Sequence, residues 1–202
     1  MNIQRLAAQF GKLAAALVLA GAWTSQAQGQ AGHAHGPAAR QHEATADEQT
    51  QAGALLKIVR DATERFKDVN VAVAEGYLLQ FGCVTGPDAG AMGLHFVNGP
   101  LVVKGDIDAE HPQIVIYEPL PNGELKLTGA DFLVLAQDWD AKKQGPPQLM
   151  GQLFHFFDAP NRFGLPPFYT LHVWAWKDNP NGAFVNWHPN VSCAPFSGSV
   201  GK

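Results

Sequence analysis

Apolar residues follow two different periods along this chain, and the change between them divides it. Up to about residue 77, Leu55, Ile58, Val59, Ala62, Phe66, Val69, Val73 and Tyr77 recur at three- and four-residue steps, while Lys57, Asp61, Glu64 and Lys67 fall elsewhere. That pattern is one apolar stripe on a helix whose other face mixes both signs of charge. Thr45-Ala-Asp-Glu48 has capping-box spacing and opens the helix, and Gly76 is its stop signal. The spacing predicts one long helix.

From Phe81 onward the apolar residues come in short runs bounded by glycine, proline and asparagine. These predict strands at Leu94 to Val97, Leu101 to Val103, Ile114 to Glu118, Glu124 to Leu127, Asp131 to Leu135, Leu153 to Phe157 and Tyr169 to Trp176. Asn122-Gly123 is a hairpin signal between two of them. Residues 137–147 and 158–167 read as excursions. One helix followed by neighbouring strands predicts an α+β fold, a long N-terminal amphipathic helix packed on a mostly antiparallel sheet. The expected organisation is a single domain over residues 48–196 with a short tail at 197–202.

A third pattern precedes the helix. Arg5 and Lys12, the apolar run Leu13 to Trp23 and Ser25-Gln-Ala27 have the layout of a secretory signal peptide over residues 1–27. The run is too short for a hydrocarbon core of ~30 Å, so no stable membrane anchoring is expected after cleavage. Residues 28–47 are rich in Gly, Ala, Gln and His without apolar periodicity, which reads as a flexible linker. The product is expected to be periplasmic or secreted.

Formal charge is −4, and loss of two cations with residues 1–27 makes it −6. That balance gives no electrostatic reason to expect nucleic acid as partner. In an oxidising compartment the only two cysteines, Cys83 and Cys193, are expected to be joined.

Candidate chemistry gathers near those cysteines. His95 follows Gly90-Ala-Met-Gly-Leu, and His172 lies in Leu171-His-Val-Trp-Ala-Trp176. An imidazole among apolar side chains needs a partner. Strand alternation puts His172 on one face with Thr170, Trp174 and Trp176, so the two indoles are expected to wall a small-ligand pocket. Glu118 shares a face with Ile114 and Ile116, toward the core. A two-residue turn at Asn122-Gly123 would set Glu118 opposite Leu127 and Asp131 opposite Ile114, about 13 Å apart along the hairpin. Without a bulge one ion cannot use both carboxylates, and Glu118 is preferred over Asp131. His95, Glu118 and His172 therefore form the expected ligand set for a divalent transition metal such as zinc, copper or manganese.

His155 alternates with phenylalanines and is expected to be half exposed. His111 and His188 each precede proline and are expected at the surface. The competing reading is a non-catalytic, disulfide-stapled binding or interaction module whose histidines are core hydrogen-bonding groups. The two differ in whether His95 and His172 lie close enough to share an ion. No Gly-x-Ser-x-Gly elbow, Walker A loop, dinucleotide fingerprint or Cys-x-x-Cys-His is present, which sets aside the chemistries those motifs carry.

Gly76-Tyr77, Ala91-Met-Gly-Leu-His-Phe96, Tyr117-Glu-Pro119 and Leu171 to Gly182 together resemble a family of uncharacterised exported bacterial proteins. Its pattern runs through Gly-Met-Gly-x-His-Phe and Leu-His-x-Trp-x-Trp-x-x-Asn-Pro. Ala91 stands where that pattern has glycine, and Asp131 where it has glutamate. The resemblance implies export and a shared fold over roughly residues 50 to 193, and no activity.

Overall fold

The computed structural model describes residues 44–86 and 88–198. The expected signal peptide, most of the expected linker and the last residues of the expected tail lie outside them. No helix among the described residues is long and apolar enough to cross a membrane.

The capping box forms as its spacing requires: Glu48 N donates to Thr45 Oγ1, and Thr45 N donates to the Glu48 carboxylate at 2.7 Å. The helix it opens, α1 (Ala46–Thr63), buries Leu55, Val59 and Thr63. It stops well before Gly76, so the expected single long helix is in fact three pieces. A 3-10 turn follows at Glu64–Lys67, and α2 (Val69–Ala74) restarts after Asp68, whose side chain accepts from Asn70 N. The break coincides with a long-range contact. Thr63 Oγ1 bonds back to Val59 O at 2.6 Å and itself accepts from the Trp176 indole at 2.9 Å, which anchors the end of α1 on a distant segment. The turn then drives Phe66 into the core.

The chain continues as β1 (Tyr77–Gly86), β2 (Gly90–Asn98), α3 (Gly99–Lys104), β3 (Ile114–Pro119), β4 (Leu125–Leu135) and α4 (Ala136–Asp140). A small ribbon, β5 (Gln148–Leu149) with β6 (Gln152–Leu153), precedes β7 (His155–Phe157) and β8 (Phe168–Val173). The main sheet has the order β1-β2-β3-β4-β8-β7, with every pair antiparallel. The fold is thus a mixed helix and strand domain, as expected. Leu101 to Val103 is a correction: these residues are in α3, because Asn98 accepts from Leu101 N and Pro100 fits the first helical turn.

One sheet face lies under the helices, where Leu55 and Val59 meet Phe132, Leu171 and Val173. Phe66 and Ala72 likewise meet Leu94, Phe96, Val115 and Tyr117. The other face carries Ile114, Ile116, Leu133 and Phe168, and farther along Trp174 and Val191. Over it folds the C-terminal segment, held by an Ala91–His188 bridge and by the Cys83–Cys193 disulfide. The expected cysteine pairing is present.

Candidate metal centre

Antiparallel register puts directly opposed residues on one face. His95 is opposite Ile116, Ile114 is opposite Asp131, and Asp131 is opposite His172. Three strands thereby deliver two imidazoles and a carboxylate to the sheet face away from the helices. Each of the three residues has a ligand atom within 4.8 Å of the other two, and all three are buried.

Each member is held differently. His95 Nδ1 lies 3.1 Å from Gly93 O, and since a carbonyl only accepts, Nδ1 carries the proton and Nε2 presents a lone pair. Gly93 is required here: its φ is 105°, and a Cβ would stand 2.5 Å from Tyr117 O. Asp131 accepts from Thr170 Oγ1 at 2.6 Å and from the Phe132 backbone N–H. His172 stacks on Trp174 with ring centroids 4.3 Å apart. Neither of its ring nitrogens has a hydrogen-bond partner among the described residues.

Burial governs the protonation states. It pushes His95 down to about 4 against the opposing Gly93 hydrogen bond, and it holds His172 well below the ordinary imidazole value, with His95 adding to the effect. Burial also pushes Asp131 up to about 7, although the bonds from Thr170 and Phe132 favour its ionised form. Both imidazoles are therefore neutral at pH 7, which is the state that binds a metal.

Of the expected set, the structure brings His95 and His172 together, and the carboxylate beside them is Asp131 and not Glu118. Glu118 faces the same side, but its Oε2 accepts from Lys177 Nζ at 2.6 Å, and it is not in the group. The hairpin is closed by a longer loop, so Glu118 pairs with Lys126 and not Leu127. A bulge between Ile116 and Tyr117 then restores the expected Ile114–Asp131 pairing. What was missed is the Asp131–His172 register. β8 has no hairpin to β4, so no local signal fixes their alignment.

The tryptophans also separate. Trp174 stays beside His172, its indole donating to Val185 O at 2.6 Å. Trp176 is on the helix side, because β8 ends at Val173 and the chain turns before it; its ring lies under Lys67 and its N–H reaches Thr63. His155 and His111 are exposed. His188, expected at the surface, is buried: it contacts Trp174 edge-on at 4.8 Å, donates from Nε2 to Asp178 O and accepts from Asn190 N. The dense turn residues around it were the available signal.

No family model, curated protein or solved structure matches this chain.

Proposed function

We propose that this protein binds a divalent transition metal ion through His95, Asp131 and His172. The observation that carries the reading is the His172 ring, fully buried with neither nitrogen bonded. An unpartnered buried polar group costs about 1–3 kcal/mol, and a ligand supplies what such a group lacks. Supporting it, His95 gives its other nitrogen's proton to a backbone carbonyl, the usual outer contact of a metal-bound imidazole, and Thr170 orients the carboxylate in the same way.

Two nitrogens and one oxygen, with both cysteines in a disulfide, suit zinc, iron(II), cobalt(II) or manganese(II) rather than a thiophilic ion. Two donors ~2.1 Å from one tetrahedral ion stand about 3.4 Å apart, so binding draws the group inward from its present spread. Three protein ligands leave a coordination position open, unlike a closed structural site. An ion so held polarises a bound oxygen or lowers the pKa of bound water.

The alternative of purely structural histidines fits His95 and His188, which are hydrogen-bonded, but leaves His172 unexplained. Metal analysis of tag-free protein, followed by titration of chelator-treated protein with zinc and cobalt(II), tests the proposal. Stoichiometric binding lost in His172→Leu and Asp131→Asn is expected. No binding by the wild type overturns it.

A further inference from the structure

A pocket opens onto the Asp131 and His95 side of this group. Its walls are Phe81, Met92, Leu133, Phe157, Phe163 and Phe168, and its polar lining is His95, Asp131 and Thr170. Among the described residues no lysine or arginine lines it. A hydrated anion entering here would lose its water without gaining a cationic side chain. With the rings as they stand the cavity is ≈ 20 Å³, room for about one water-sized molecule.

Its outer ring is held in an unusual way. The β1–β2 register jumps from Gln80–His95 to Cys83–Leu94, so Phe81 and Gly82 bulge out beside His95. Phe81 has φ 64°, in the left-handed region that bulky side chains avoid. The residue is 40% exposed, and its ring meets Phe163 edge-on at 5.4 Å. Such outliers persist where surrounding structure enforces them and cluster at ligand clamps and switches. Here Cys83, two residues on, is fixed by the disulfide.

The opposite wall is tied down. Asn161 donates to Asp158 O and Leu165 O and accepts from Phe163 N and Leu165 N, and Arg162 donates to Thr85 O. Phe163 is thus on a braced loop, while Phe81 lies in a bulge outside the ladder. Of the two rings, Phe81 is the one that is exposed and outside the ladder.

We infer that the pocket between Phe81 and Asp131 admits a small, mostly apolar molecule with one uncharged oxygen donor, of the alcohol or phenol type, and that Phe81 gates its access. The donor's role rests on the metal reading above. The pocket does not, and two probes separate them.

Xenon needs no metal. Crystals of the chelator-treated protein under xenon pressure are expected to show the gas among Phe81, Leu133 and Phe163; its absence overturns the pocket whatever the metal content. The second probe is the visible spectrum of the cobalt(II) protein. Phenol is expected to perturb it with a half-saturation at least tenfold below that of inorganic phosphate, and equal or stronger phosphate binding overturns the assignment. Phe81→Gly removes the ring and suits the positive φ, so folding is retained. Stopped-flow association of phenol is expected to quicken about tenfold in this variant, and an unchanged rate overturns the gate. Failure of cobalt(II) to bind while xenon is seen refutes the metal reading and the donor's role, leaving the apolar pocket.

Discussion

His172→Leu should change stability and metal binding in opposite directions. In the chelator-treated protein the imidazole leaves one donor and one acceptor buried and unbonded, at about 1–3 kcal/mol each. Leucine removes both. Against this stand the lost stacking on Trp174, about 0.5–1.5 kcal/mol, and an imperfect shape match of up to about 1.5 kcal/mol. The balance favours the variant by about 2 kcal/mol, or roughly 4–8 °C in melting temperature for a domain of this size. Added metal at 100 times its Kd stabilises the wild type by about 2.7 kcal/mol, roughly 5–10 °C, and should leave the variant unmoved. Differential scanning calorimetry of both proteins, with chelator and with zinc, reads both effects. If the metal-free variant is destabilised by more than about 2 kcal/mol, the imidazole was satisfied in the wild type, and the argument for a ligand fails with it.

Further consequences are measurable. Lys177→Met leaves the Glu118 carboxylate buried without its cation and should cost about 3 kcal/mol in urea denaturation, recovered largely by adding Glu118→Gln; neither change should alter metal content, and a loss of metal in Glu118→Gln would return that carboxylate to the ligand set. Reducing Cys83–Cys193, or replacing both by serine, opens a loop of 110 residues and should lower stability by about 4–5 kcal/mol on chain entropy, seen as a lower urea midpoint. The metal-free protein should be most stable near pH 7. His95 and His172 have lowered folded pKa values, so their contribution is complete above about 6.5 and is lost as pH falls, toward about 4 for His95. Asp131 is raised to about 7, so its contribution, complete below about 3.8, is lost as pH rises through 7. Between pH 6 and 5 the protons of His95 and His172, with a smaller share from His188, whose pKa burial also lowers, oppose that of Asp131; the net loss is about 1.4 kcal/mol per unit on acidification, and a flat urea profile across that range would contradict these burial effects.

How far the sequence could be read depended on whether a feature was local. The capping box at Thr45 and Glu48, the apolar stripe from Leu55 to Phe66 and the Ile114–Asp131 pairing are set by residues close in the chain, and each formed. The break at Thr63 was not legible, because the helix there ends against Trp176, 113 residues away. Trp176 itself was misplaced for the converse reason: alternation holds only while a strand lasts, and β8 stops at Val173. The choice between Glu118 and Asp131 was not decidable from the hairpin at all. Both carboxylates face the same side, and what separates them is which partner arrives across the sheet: Lys177 at one, His172 at the other.

That difference gives the two carboxylates opposite physical roles. Glu118 meets a fixed ammonium at 2.6 Å, so its charge is already answered within the chain. Asp131 meets a neutral hydroxyl and two neutral imidazoles, and among them no group carries the positive charge that its ionised form would need. Burial accordingly drives it toward protonation, at about 7, while its neighbours are driven the other way. A proton on Asp131 answers the charge penalty there but leaves both ring lone pairs unused, whereas a dication placed among the three would answer the carboxylate and both rings together. On the proposed metal reading, Asp131→Asn should keep the fold while removing the only anionic ligand of the group. Its metal affinity should fall by at least tenfold in a competition titration with a chromophoric chelator. Retention of full affinity by Asp131→Asn would mean that the imidazoles alone define the site.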